Sequence, residues 1–316
     1  MKYIILGAGL TGSFIGLLFK ILNFDFIILE KENDIFTGIS SKYTNSINSI
    51  NSEHEILFDK LFSFMIINIV NSYHIFDHDV NITNLKKLKL HMINNLHNIE
   101  TNQLNKKIKF VREEKILKTS TAYSFFKYFL KDKIFFNYDI NNFDYNNIKY
   151  KNYIADYLID CTNGEFKKNK IYQILLTYNT NDNYFNSIIN INTLRIAPCM
   201  ENNIIKKIVI TDEDIGLINY INDNDIKKKI ELINNKINSN IINFNKNNSF
   251  DCYSIINKNI TQVNINNKII TITCNSITDH FEIFKKLFKL PELKNINNEY
   301  LNGNKDVIKR LLLFLN

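Results

Sequence analysis

Apolar positions run consecutively near the start of the chain and recur at wider intervals beyond it. Tyr3-Ile4-Ile5-Leu6 is an unbroken apolar run, which predicts a strand buried on both faces. The run meets Gly7-Ala8-Gly9-Leu10-Thr11-Gly12, after which Ser13 to Leu22 is apolar enough to predict a buried helix. Phe24-Asp25-Phe26-Ile27-Ile28-Leu29 then predicts a second strand, ending at Glu30. Strand, helix and strand in this order make a β-α-β unit. Further on, Tyr157-Leu158-Ile159-Asp160-Cys161-Thr162-Asn163-Gly164 predicts a buried strand that ends in small residues. Asn190 to Pro198 and Lys207 to Asp212 predict neighbouring strands with Gly216 beyond them, and Asn267 to Ser276 predicts a strand leading into a helix from Asp279 to Phe288. Between these, Asn222 to Ile237 sets Ile226, Ile230, Ile233 and Ile237 on one helical face. That helix should pack on a core, with Lys227-Lys228-Lys229 on its wet side.

The glycines ahead of the first helix form G-x-G-x-x-G, and each has a physical duty there. Gly7 permits the tight turn, Gly9 lets backbone approach a pyrophosphate, and Gly12 lets the helix pack closely on the strands. The helix N-terminus then faces the anion. Glu30 stands about twenty residues beyond the loop, at the end of the second strand, where an acceptor for ribose hydroxyls is required. Gly16, one helical turn after Gly12, keeps the crossover close, and Asn23 stands at the helix exit, where left-handed geometry must be tolerated. A glycine-rich turn that merely packs would leave Glu30 unexplained. The segment therefore predicts a dinucleotide site.

Composition narrows the class without naming a function. A chain of 316 residues with 45% hydrophobic content, two prolines and eight glycines excludes disordered, collagen-like and linker-dominated readings. The net charge of +7 is mild, and Arg112, Arg195 and Arg310 are the only arginines, so nucleic acid is an allowed but not favoured partner. Cys161, Cys199, Cys252 and Cys274 form no C-x-x-C pair, which fits a reducing compartment and excludes a zinc knuckle. No apolar stretch reaches the roughly 18 residues of a membrane span, and glycines interrupt the first apolar run, so a cytoplasmic protein is expected. The excess of Asn, Ile, Lys, Phe and Tyr, with no Trp, is what an A/T-rich coding sequence produces, as in a virus, parasite or endosymbiont; a viral source would place the protein in the host cytoplasm.

At the level of these motifs the chain resembles the FAD-dependent oxidoreductases of the D-amino-acid-oxidase and glycine-oxidase type. Gly7 to Glu30 followed by Lys31 looks like their amino-terminal fingerprint, and Thr37-Gly38-Ile39-Ser40-Ser41-Lys42-Tyr43-Thr44-Asn45 is similar to their hydroxyl-rich loop around the FAD pyrophosphate. The strand ending at Thr162 and Gly164 is similar to the one that returns beside the adenosine, although Asn163 interrupts the usual pair. The strands from Asn190 to Asp212 resemble the family's antiparallel sheet over the flavin. The turn at Asn275 and Ser276 resembles its closing turn, with a glycine missing. The resemblance implies an α/β fold, an FAD-binding Rossmann-like β-α-β domain with an interleaved antiparallel-sheet substrate domain. Residues 1–80, 120–165 and 255–316 would form the first, and 81–119 and 166–254 the insertions and substrate domain.

Flavin carries its own redox chemistry, so such a protein needs no catalytic triad. The resemblance implies cofactor contacts at Gly7, Gly9, Leu10, Thr11, Gly12, Glu30, Lys31, Ser40, Ser41, Thr162, Gly164, Asn275 and Ser276. Arg195, a rare arginine in an apolar strand, is expected to pair with an anionic group of a small-molecule substrate, or else to sit in a structural ion pair. His280 is expected near the closing turn and the flavin, or else exposed at a helix start. His74 and His78, at i and i+4 on an expected helix, would suit a metal, but no third ligand is apparent and none is expected. Lack of Trp and of C-x-x-C disfavours halogenase-like and disulfide-reducing chemistry. Oxidation of an amine, amino acid or hydroxy compound remains. A flavoenzyme modifying a nucleic-acid base and a non-catalytic nucleotide-binding module are the alternatives.

Overall fold

In the computed structural model, residues 1–38, 46–47, 62–76, 91–92, 108–139, 142–162, 171–180, 187–201, 204–240, 248–258, 262–274 and 280–287 are described. The strands that build the two main sheets include β1 (Lys2–Leu6), β2 (Asp25–Leu29), β3 (Ile66–Phe76), β4 (Ile108–Leu117), β5 (Ile134–Phe135), β6 (Tyr157–Asp160), β7 (Ile171–Thr180), β8 (Ile188–Ile191), β9 (Leu194–Glu201), β10 (Ile204–Asp212), β11 (Asn248–Lys258), β12 (Gln262–Asn266) and β13 (Ile269–Thr273). The helices are α1 (Leu10–Ile21), α2 (Thr119–Leu130), α3 (Asp223–Asn240) and α4 (His280–Leu287).

One sheet runs in the order β12-β13-β6-β1-β2-β5, with β1 parallel to both β2 and β6. Period-two alternation divides its residues between two layers. Tyr3, Ile5, Phe26 and Ile28 meet α1, α2 and α4 through Phe14, Phe19, Phe126 and Leu287. Ile4, Leu6, Ile27 and Leu29 meet the other layer, a three-stranded sheet represented by Phe143, Ile148 and Tyr150. Burial on both faces explains why β1 from Tyr3 and β2 from Phe26 are apolar without interruption. Helix α1 ends as Asn23 would have it: Asn23 takes φ +56°, its N–H donates to Lys20 C=O at 3.2 Å, and the Phe24 N–H donates to Phe19 C=O at 2.9 Å.

The second sheet is largely antiparallel and contains, in order, β7, β10, β9, β8, β3 and β4, with β11 also on β7. Its one parallel join among these is β8 on β3. One face packs on α3: Ile75, Ile174, Leu176, Ile189, Ile191, Leu194, Ile196 and Ile210 enclose Ile226, Ile233 and Ile237. The helix thus buries the face its periodicity selects. Lys227 and Lys228 are exposed, whereas the Lys229 ammonium donates to the carbonyls of Ile215 and Leu217 at 3.1 and 2.8 Å and so belongs to the packed side.

Three expectations change. The segment from Asn190 to Pro198 is not one strand but part of a hairpin, turning at Asn192 (φ +51°) and Thr193 between β8 and β9. Residues 66–76, expected in the nucleotide half, form a strand of the second sheet, because β3 pairs with β4 and β8. His74 lies in that strand rather than in a helix. His78 lies outside the described residues.

Candidate functional site

The glycine loop joins β1 to α1. Gly7 adopts φ +90° and donates its N–H to Leu29 C=O at 2.8 Å, which ties the turn to the end of β2. A Cβ at Gly12 would stand 1.9 Å from the Gly7 carbonyl oxygen, so only glycine allows this approach. The helical ladder begins with Ser13 N–H on Gly9 C=O at 3.0 Å. Gly9 provides no side-chain cap, and the first turn carries no acidic residue. No acidic residue within the first turn offsets the positive end of the helix, which suits an anion.

Glu30 is 7% exposed and reaches back to this loop. Its Oε2 accepts the Ala8 N–H at 2.6 Å and its Oε1 accepts the Glu32 N–H at 3.1 Å. A carboxylate has about four lone-pair positions, so each oxygen keeps acceptor capacity for a hydroxyl after these bonds. Lys31 follows on the exposed side. The chain then returns over the loop, with Phe36 N–H on Ala8 C=O at 3.3 Å, and Asp34 is held to α2 by the Tyr123 hydroxyl at 2.6 Å and the Lys127 ammonium at 3.0 Å. Desolvation would raise the Asp34 pKa, but the hydrogen bonds from Tyr123, Lys127 and the Ile35 N–H, with the Lys127 charge, together lower it.

Several other residues singled out in the sequence gather here. Leu10 is buried at the start of α1, with Thr11 beside it. Thr162 donates its N–H and hydroxyl to Asp160 at 2.9 and 2.5 Å, and its backbone nitrogen would lie 3.6 Å from a Cβ on Gly7. His280 does not stand exposed at its helix start: it is 3% exposed, stacks on Phe14 at 4.6 Å, and has Nε2 3.3 Å from the Thr11 hydroxyl and Nδ1 3.9 Å from Cys274 Sγ. It packs against the first turn of α1. Burial pushes the neighbouring Cys161 thiol up, so this cysteine stays protonated. Ser40, Ser41, Gly164, Asn275 and Ser276 lie outside the described residues.

Arg195 is on the second sheet, and its neighbours Leu194 and Ile196 are fully buried against α3, so its side chain leaves by the opposite face. There it joins a polar cluster that the sequence did not disclose. Its Nη2 donates to Glu114 Oε2 at 2.9 Å and its Nη1 to Asn190 Oδ1 at 3.0 Å. Arg112 donates to Glu114 Oε1 through Nε and Nη2 at 3.1 and 2.8 Å. Asn190 Nδ2 donates to the Ser72 hydroxyl at 3.0 Å, and His74 Nε2 lies 3.1 Å from the same hydroxyl. The guanidinium groups hold Glu114 ionised, with its pKa at about 2 despite burial. Burial, with the two arginines, lowers His74 to about 4, so its imidazole is neutral near pH 7. Val70, Ile116, Ile188 and Ala197 form an apolar margin on the same face.

The two sites are linked by β4. Three residues after Glu114, Leu117 enters the core that contains Phe14 and Phe126, and Lys118 N–H bonds Met65 C=O at 2.5 Å before α2 begins. The polar cluster therefore begins about 10 Å along an extended strand from the core beneath α1.

No family model and no curated protein matches the sequence. Solved structures match its fold. Glycine oxidase from Bacillus cereus ATCC 14579 superposes over 96% of this chain and 95% of that one, with TM-score 0.65 and 9% identity. L-α-glycerophosphate oxidase from Mycoplasma pneumoniae, dithionite-reduced with FAD bound, covers 93% and 94% with TM-score 0.66 and 11% identity. L-proline dehydrogenase from P. horikoshii covers 96% and 98% with TM-score 0.61 and 12% identity. The chain has the mixed α/β fold of these oxidoreductases. Among the described residues no helix is long and apolar enough to cross a membrane.

Proposed function

We propose that this protein is an FAD-dependent oxidoreductase that oxidises a small amine, amino acid or hydroxy compound carrying an anionic group. The observation that carries the reading is Glu30 bound to Ala8 N–H at 2.6 Å beside the start of α1, whose first turn carries no acidic residue, with Gly12 against Gly7. These residues fit a dinucleotide: the helix start and its loop suit a pyrophosphate, and the Glu30 carboxylate suits ribose hydroxyls. Choice of FAD over NAD rests on the fold, because the matching glycerophosphate oxidase structure has FAD bound.

When bound, FAD supplies the acceptor for the electron pair leaving the substrate. The chain supplies placement. Gly7, Gly9, Leu10, Thr11 and Gly12 would lie along the pyrophosphate, with Glu30 and Lys31 at the ribose, Thr162 beside the loop, and His280 supporting Thr11 from beneath. Ser40, Ser41, Gly164, Asn275 and Ser276 remain proposed contacts. Arg195 would anchor the anionic end of the substrate on the second sheet, where a guanidinium can meet two oxygens at once.

Anaerobic mixing of the FAD-loaded protein with panels of amino acids, amines and 2-hydroxy acids tests this reading. One class should bleach the flavin absorption, and Arg195→Met should raise the concentration required without loss of bound FAD. A protein that keeps its FAD and is bleached by none of these classes would instead be a nucleotide-binding module.

A further inference from the structure

The sequence Arg112-Glu113-Glu114-Lys115 reads as a solvated charge run, but on β4 it alternates: Glu113 is exposed, whereas the Glu114 side chain is 1% exposed. Glu114 divides its two oxygens between two arginines, Oε1 to Arg112 and Oε2 to Arg195. Arg195 is in turn gripped at its other terminal nitrogen by Asn190, whose amide is fixed by donating to Ser72 Oγ at 3.0 Å and the Tyr73 carbonyl at 3.2 Å. Two acceptors on two nitrogens, one from β4 and one from β8, constrain the plane of the guanidinium on β9. Its side chain remains 21% exposed while the carboxylate behind it is closed off.

An arginine on a flexible stem would lose much rotamer freedom on taking up a ligand, and one already held in place loses less. The directions of the pairing also matter: Arg112, Glu114, Arg195, Asn190 and Ser72 all project from the sheet face opposite α3, with the apolar margin of Val70, Ile116, Ile188 and Ala197. We propose that Glu114 is a positioning residue which, together with Asn190, sets the plane in which Arg195 receives the anionic oxygens of the substrate, whether carboxylate or phosphate. This rests on the reading of Arg195 as substrate anchor.

The test uses the full chain and two probes, acetate and inorganic phosphate, titrated calorimetrically into wild type, Glu114→Gln, Glu114→Asp and Asn190→Ala, with FAD content and thermal midpoint measured on the same samples. Wild type should bind one of the two anions, and which one binds separates a carboxylate from a phosphate substrate. Glu114→Gln removes a negative charge beside Arg195, which by Coulomb attraction alone would tighten anion binding, so a positioning role predicts the opposite result, a weakening of about tenfold as the guanidinium plane is released. Glu114→Asp should recover part of it, and Asn190→Ala should weaken it in the same direction even if Glu114→Gln does not fold. No anion binding by wild type, or equal affinity in wild type and Asn190→Ala, would overturn the proposal. Folded Glu114 variants with lowered midpoints but unchanged affinity would also overturn it, as a merely structural role predicts that pattern. The two readings fail separately: a chain without FAD that binds the anion in a Glu114-dependent way contradicts the flavoenzyme and leaves the positioning role. A chain with FAD and no dependence on Glu114 or Asn190 does the reverse.

Discussion

Replacing Gly12 by alanine should be the most damaging single-methyl change in the nucleotide half. The added Cβ would lie 1.9 Å from the Gly7 carbonyl oxygen and 3.1 Å from its carbon, so helix and loop must separate by about 1 Å or more. Neither can yield cheaply. Gly7 is tied by its N–H to Leu29 at 2.8 Å, and α1 is wedged by Ile15 and Phe19, both fully buried. Overpacking of this kind costs about 1–3 kcal/mol and more where backbone must shift, so we expect about 3 kcal/mol or above. Gly16→Ala is the internal comparison. Its Cβ would meet the Ile28 Cδ1 at 2.6 Å, the end of a side chain that can rotate, and the helix gains about 1 kcal/mol from Gly to Ala. These nearly cancel. Gly216→Ala adds a second contrast, because its Cβ would meet the Asp212 carbonyl at 2.5 Å in the other sheet, lowering stability away from the loop. Urea unfolding and FAD titration of all three should show Gly12→Ala unstable and poor in FAD, Gly16→Ala close to wild type, and Gly216→Ala destabilised with FAD affinity retained once folded. A Gly12→Ala protein with wild-type unfolding and wild-type affinity would refute the close approach.

Glu30→Gln should weaken FAD by about 1.5–3 kcal/mol, roughly ten- to hundredfold, with the fold preserved, as read by fluorescence titration; unchanged affinity would assign Glu30 to the loop alone. His74 should make stability pH-dependent. Its folded value of about 4 lies below the ordinary 6.5, so its contribution is complete above pH 6.5 and is lost as pH falls toward 4, by about 3 kcal/mol. Glu114 acts in the same direction at lower pH, from 4.5 down to about 2, so His74→Asn should flatten the first slope in urea melts and leave the second. Ile233→Ala, which empties a fully buried site under α3, should cost about 2–5 kcal/mol in thermal or urea unfolding and leave FAD affinity of the folded protein unchanged.

The nucleotide half was legible because its constraints are local. Gly7, Gly12 and Asn23 are residues whose backbone geometry few others supply, and β1 and β2 are apolar after their exposed first residues, Lys2 and Asp25, because both faces are covered. The second sheet was less so. Strands β3, β4, β7 and β11 escaped notice, since an antiparallel strand with one polar face offers only alternation, which abundant Asn and Lys obscure. Glu114 and Arg112 were hidden for that reason: nothing along the chain says which members of Arg112-Glu113-Glu114-Lys115 turn inward until β3, β8 and β9 are placed beside them. The i, i+4 spacing of His74 and His78 suggests a helical period, whereas the neighbours of His74 in the fold are Ser72 on its own strand and Asn190 across the parallel join. Arg195 stands out in the sequence by its rarity. Its pairing with Glu114 does not, because their separation of 81 residues is closed only by the sheet.

The most direct test of the central claim is the identity of the nucleotide that accompanies the protein. The chain should be purified natively, its absorption spectrum recorded, and the nucleotide released by acid identified by mass and quantified against protein. The expected result is a flavin spectrum and FAD near one equivalent per chain, lost or strongly reduced in Gly12→Ala and Glu30→Gln. A colourless protein that takes up no FAD on reconstitution, but binds NAD at the same loop, would contradict it.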